Sequence, residues 1–365
     1  MIEYIVIFLI LLGVSIAFYL LWERFTRGVV PKRDSAQYVQ ALRELLDDNM
    51  ERAFGLLRQV VAEDSSNVDA YLRLGRILRD KGRPDRALQV HKDLTLRGGL
   101  QAEQKASILG ELAEDYIALD ESETAISALR ELISLRGDDR RAFDRLLHMQ
   151  KQTRQWGDAF QTASTLLKME SEKTQKSLAV YKYQLGQELL RKREYHKARV
   201  AFKEALGLDP GFVPAYLSTG DSYCEEERFE DAVSFWLKLV EAVPDQGHRV
   251  IERLKKTLFD LGRFGDLLDI CRNILDHSPQ NIEVRLTLAE LHEKKGDLDS
   301  AQEVLVQTVD DHPDNLRAVM ELIRIYLERD DKRKVFDLFR RLERRLQSRS
   351  DSSSAAANVM PTGVS

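Results

Sequence analysis

The sequence predicts an all-α protein in which an N-terminal transmembrane helix leads into a right-handed α-solenoid of about nine two-helix repeats. Three observations carry that expectation. Residues 4–22 hold no charge; Pro210, Pro244, Pro279 and Pro313 recur at intervals of 34, 35 and 34 residues; and pairs of small or apolar residues twelve positions apart run through the rest of the chain. With 365 residues, 43% hydrophobic and 32% charged, the chain suits one elongated array of solvent-facing helices.

The uncharged stretch of residues 4–22 is long enough, at ~1.5 Å per residue, to cross a hydrocarbon layer of roughly 30 Å. Tyr4, Tyr19 and Trp22 stand near its ends, where amphipathic rings prefer the interface. Glu3 before the run and the bulky residues 18–22 at its close argue against a cleaved signal peptide, which needs a basic start and a small-x-small site. Arg24, Arg27, Lys32 and Arg33 follow the span, so the positive-inside rule places everything after it in the cytoplasm. The expected domains are an anchor over 1–22, a linker over 23–34 and a solenoid over 35–348. Residues 349–365, rich in Ser and Ala without apolar periodicity, are expected to be a disordered tail.

Aligned on the proline period, the pairs are Ala41/Ala53, Gly75/Ala87, Ala113/Ala125, Leu147/Ala159, Gly186/Ala198, Gly220/Ala232, Lys255/Leu267, Ala289/Ala301 and Ile323/Val335. This is the tetratricopeptide pattern, with a small residue at position 8 of helix A and alanine at position 20 of helix B. The helices cross closely there, and small side chains let the backbones approach. Larger residues at positions 7, 11, 24 and 27 fill the space between neighbours; in repeat six these are Thr219, Tyr223, Trp236 and Leu239. Gly82, Gly262 and Gly296 mark A-to-B turns. Repeats seven and nine depart at the 8/20 pair. Longer spacings of 38 residues after repeat two and 39 after repeat four read as surface insertions.

Charge is interleaved, 55 Lys and Arg against 60 Asp and Glu for a formal charge of -5, without the basic stripe of a nucleic-acid binder. Phosphate-loop, His-Glu-x-x-His and Gly-x-Ser-x-Gly signatures are absent, so no catalytic residue, cofactor or metal ligand is assigned. Cys224 and Cys271 lie 47 residues apart in helical patterns, which suits packing and not a disulfide or a zinc knuckle. His91 and His292 fall at interior positions and are expected to be hydrogen-bonded packing residues. Positions 2, 5, 9 and 12 of helix A face the groove of such an array. They supply Arg76, Arg79, Asp144, His148, Lys151, Asp221, Glu290, Glu293 and Arg324 as a candidate protein-binding surface. Arg340, Arg341, Arg344, Arg345 and Arg349, interspersed with Phe339, Leu342 and Leu346, form a basic amphipathic end. It reads as a solvated cap or as a dock for anionic lipid or an acidic partner.

The chain resembles one family, lipopolysaccharide assembly protein B, of bacterial inner-membrane tetratricopeptide proteins. The likeness rests on the short anchor, the nine repeats and the stretch Gly75-Arg76-Ile77-Leu78-Arg79-Asp80-Lys81-Gly82-Arg83-Pro84-Asp85-Arg86-Ala87-Leu88-Gln89-Val90-His91. It continues through Gly99-Leu100-Gln101-Ala102-Glu103-Gln104, Asp115-Tyr116 and Gln155-Trp156. The resemblance implies a non-enzymatic adaptor, single-pass in the bacterial inner membrane with cytoplasmic repeats. It also implies partners: a membrane-bound AAA+ protease and the deacetylase that commits to lipid A synthesis. A general scaffold for another envelope or secretion complex is the other reading, and a homo-oligomer is compatible with both. Members usually end in a rubredoxin-like domain with two Cys-x-x-Cys pairs; Cys224 and Cys271, in separate repeats, do not form such a zinc site.

Overall fold

The computed structural model describes Ser15 and residues 36–170 and 174–357, with side chains described as far as Arg344. The expected anchor over 4–22 and linker over 23–34 therefore lie outside the described residues, Ser15 apart. Among the described residues no helix is long and apolar enough to cross a membrane.

Among the described residues every regular element is a helix, and in chain order the α-helices alternate as helix A and helix B of nine repeats. Two compact units divide it, 1–153 and 154–365, with the boundary inside the fourth repeat. The first holds α1 (Ala36–Leu46), α2 (Met50–Glu63), α3 (Val68–Asp80), α4 (Pro84–Thr95), α5 (Ala102–Ala118), α6 (Ser122–Leu135) and α7 (Arg140–Gln152). The second opens with α8 (Trp156–Met169), α9 (Ala179–Arg191), α10 (Tyr195–Leu208), α11 (Val213–Cys224) and α12 (Phe229–Ala242). It continues with α13 (Ile251–Asp260), α14 (Asp266–His277), α15 (Ile282–Lys294), α16 (Leu298–Asp311), α17 (Leu316–Glu328) and α18 (Lys332–Ala357).

One backbone mark sets the register in every repeat. Position 15, seven residues after position 8, is left-handed throughout: Asp48, Gly82, Asp120, Arg154, Arg193, Glu227, Gly262, Gly296 and Asp330, with φ between 54° and 81°. Helix A ends there because a left-handed residue lets the next N–H reach back five residues, as Arg83 N–H does to the Leu78 carbonyl at 2.9 Å. Only three of these positions are glycine; the others hold the conformation at a cost of roughly 1–2 kcal/mol each. The mark confirms Lys255 and Ile323 at position 8, although neither is small. Helix A starts are capped by Asn67, Asp139, Asn281 and Asn315, whose side chains accept the N–H three residues on.

The close approach at position 8 has a specific occupant. A Cβ on Gly75 would lie 2.1 Å from His91 Nε2, on Gly186 2.4 Å from Phe202 Cε1, and on Gly220 2.0 Å from Trp236 Nε1. All three rings stand at position 24. Where position 8 is Ala41, Ala113 or Ala289, position 24 is the buried Leu57, Leu129 or Leu305. Position 20 is wholly buried alanine beside them in repeats one to six and eight. A smaller residue at 8 thus admits a larger one at 24, keeping the interior close-packed.

The insertions act locally. The extra residues after repeat two form a loop over residues 96–101 and lengthen helix A of repeat three to 17 residues, one added turn. Arg97 of that loop stacks over Tyr71 at 4.2 Å. The single extra residue before Lys255 is taken up by a 3-10 segment, Pro244–Val250. Helix α18 runs to Ala357, into the stretch expected as a tail, of which residues 358–365 lie outside the described residues.

Candidate functional site

In the first unit the A helices α3, α5 and α7 border a cavity of about 680 Å³ lined by Arg73, Arg76, Arg79, Glu111, Arg136 and Arg145 among others. Arg79 reaches Glu111 at 2.8 Å and Asp115 at 2.6 Å, while Arg76 takes the second oxygen of Glu111. Behind them Asp115 meets His91 Nδ1 at 2.5 Å, and His91 Nε2 donates to the Leu72 carbonyl at 3.2 Å. A carbonyl only accepts, so Nε2 is the donor in that bond. Burial opposes the charge on Arg79, but Glu111 and Asp115 outweigh it and raise its pKa. Burial alone would push Glu111 up; the guanidiniums of Arg76 and Arg79 hold its carboxyl below the ordinary value.

The second unit repeats this at lower density. Arg253 grips Asp221 through two hydrogen bonds, 2.7 and 3.1 Å. Lys255 pairs with Glu290 at 2.6 Å and Lys294 joins it at 2.9 Å. Arg324 holds both oxygens of Glu293 at 2.5 Å, with Glu321 at 2.8 Å and Glu328 at 2.9 Å. Glu290, Glu293 and Arg324 line a cavity of about 420 Å³ with Leu286, Arg317 and Glu321. For Glu290, desolvation raises the pKa but the two lysines prevail and lower it; for Glu293, Arg324 lowers it directly.

A rule joins these contacts. At four junctions position 9 of one helix A meets position 6 of the next: Arg76 with Glu111, Glu114 with Arg145, Gln187 with Ser218, and Asp221 with Arg253. At the last step positions 9 and 6 are Glu290 and Glu321, like charges, and the ladder shifts to Lys255–Glu290 and Glu293–Arg324. Most sequence-expected groove residues are thus ties between consecutive repeats that leave one edge to solvent. Arg76 and Arg79 enter the first cavity and Glu290, Glu293 and Arg324 the second; Asp221 makes the tie between them in chain order. Asp144, His148 and Lys151 are exposed on α7, with Asp144 3.7 Å from Arg140 and His148 beside Gln152 at 3.0 Å. Sequence reasoning missed position 6, represented by Arg73, Glu111, Arg145, Arg253 and Glu321. Opposite charges spaced one repeat less three residues were the available signal.

Fixed guanidiniums and carboxylates on a row of A helices suit recognition of a protein surface, and their partly solvated edges can exchange partners. Residues 44–106 and 258–320 match one tetratricopeptide-repeat family and residues 183–247 another, together just over half of the chain. The chain is a tetratricopeptide-repeat protein, and such repeats are binding scaffolds and not enzymes. It is similar to lipopolysaccharide assembly protein B of Escherichia coli strain K12, 22% identical over 298 residues, 81% of this chain and 75% of that one. The Haemophilus influenzae protein of the same name is 27% identical over 293 residues, 77% of this chain and 73% of the relative. The C-terminal part of a repeat protein from Cytophaga hutchinsonii superposes with a TM-score of 0.34 at 16% identity, over 78% of this chain and 99% of that one.

Proposed function

We propose that the protein is an envelope-associated adaptor in lipopolysaccharide production, tethered to the bacterial inner membrane through residues 4–22 with its repeats in the cytoplasm. In that role it presents the deacetylase of the lipid A pathway to a membrane-bound AAA+ protease. The observation that carries this reading is the similarity to lipopolysaccharide assembly protein B along about four fifths of the chain, which includes the Arg76–Arg79–Glu111 cavity. The helix A face of α3, α5 and α7 is the candidate client surface, and the half-exposed arginines there suit carboxylates of a client. Affinity capture of the tagged full chain from its own membranes is expected to recover the protease or the deacetylase. Deletion of the gene is expected to raise deacetylase abundance. Recovery of a different envelope complex, with unchanged deacetylase, would replace this reading with that of a general assembly scaffold.

A further inference from the structure

At position 24 the ninth repeat exposes what every earlier one buries, and at position 5 it exposes an apolar side chain. Position 5 is Leu217 in repeat six and Leu286 in repeat eight, both buried, and position 24 is Phe202, Trp236, Cys271 and Leu305 in repeats five to eight, all buried. In repeat nine the same two places are Met320 and Phe339, 68% and 53% exposed. Beside them Leu316, Leu327 and Phe336 are 75%, 56% and 67% exposed. In repeat eight that surface is closed by the next helix A: Leu286, Ala289 and Leu305 pack in one cluster with Ala318, Val319, Leu322 and Ile325 of α17. The slot between α17 and α18 therefore has the shape of a helix receptor. An apolar patch of this kind on a repeat end marks an interaction site.

Charge narrows the occupant. Turning along α18 away from the core, Phe339 and Phe336 are followed by Arg340, Arg333 and Arg344, all exposed, with Asp337 and Glu343 as the acidic residues of the same face. We infer that this end receives an amphipathic helix from another protein. Its apolar residues would follow the i, i+1, i+4, i+7 spacing of Ala318, Val319, Leu322 and Ile325, and its carboxylates would lie along the edge that meets Arg340 and Arg344. A helix in a preformed groove, with its rim set by opposite charge, is an established recognition mode. The inference goes beyond the adaptor reading and depends only on this end face, since it names neither protease nor deacetylase.

The test is site-specific photo-cross-linking in the full chain, in its own cells, through Met320→p-benzoylphenylalanine and separately Phe336→p-benzoylphenylalanine. Both positions are exposed, and unchanged thermal melts verify the fold. Peptide mapping is expected to show, at both positions, one acidic amphipathic segment of a second protein. The yield is expected to fall at least tenfold when Arg340→Glu and Arg344→Glu are added. Cross-links to lipid, to a second copy, or within the same polypeptide would overturn the inference, as would adducts at neither position or a yield indifferent to the two arginines.

Discussion

In repeat two the notch over Gly75 receives His91, whereas in repeat six the notch over Gly220 receives Trp236, and both rings donate an N–H to the carbonyl at position 5. The acceptors are Leu72 at 3.2 Å and Leu217 at 3.3 Å. The two sites part beyond the ring. Position 10 of the next repeat is the buried Asp115 in one case, tied to Arg79, and the buried Thr257 in the other, where Trp236 joins an apolar cluster. The backbone notch therefore selects a ring, and the neighbouring repeat selects its chemistry. Repeat two stores charge between repeats; repeat six stores apolar area.

The largest effects would break the two sites in different ways. Trp236→Ala is expected to cost about 3–5 kcal/mol in urea unfolding, from lost burial and the cavity left behind. Asp115→Ala is expected to cost a similar ~3–5 kcal/mol, because His91 and Arg79 lose a buried acceptor. The sites separate on repair: His91→Phe combined with Asp115→Leu should recover to within about 1 kcal/mol of wild type. A double variant as unstable as Asp115→Ala would show that charge pairing itself holds repeats two and three.

Gly75→Ala and Gly220→Ala are expected to cost about 1–3 kcal/mol each, since a Cβ at either notch meets the ring. Equal losses would mark the notch as the common element, and a smaller loss at Gly75 would show that the histidine can withdraw toward Asp115. At the turns Arg193→Gly is expected to gain up to about 1 kcal/mol, because it relieves a left-handed backbone.

Acid distinguishes the charged site further. The Glu111 carboxyl lies below its ordinary value of 4.5, so its contribution is present above that value and is lost as pH falls through the lowered one. Hydrogen exchange of α5 is expected to accelerate over that acid range, and Glu111→Gln should remove the pH-dependence while leaving α11 and α12 unchanged. The smallest expected effect concerns Cys271, at position 24 of repeat seven. Burial pushes its thiol up to about 12, so alkylation should mark Cys224 in the native protein and Cys271 only after unfolding.

Much of this was legible in the sequence because a repeat prints its packing rule several times. The 8/20 pairs, the helix count and the interior place of His91 and His292 follow from a period that averages out local accident; His91 is held as described and His292 Nδ1 stands 3.2 Å from Asp297. Position 15 was visible only at its three glycines, because Asp, Arg and Glu in a left-handed turn leave no compositional mark. The groove residues were read from single helices, so the register was found but the partners were not.

The sequence by itself determined the all-α repeat, its nine-fold register and the small residues that let paired helices approach, since those depend on neighbours within one period. Only the tertiary structure decided that the ring at position 24 occupies the glycine notch. It alone paired position 9 of one repeat with position 6 of the next, and left Met320 and Phe339 open at the last. Those outcomes depend on the side chains that two successive repeats bring together, and no single period encodes them.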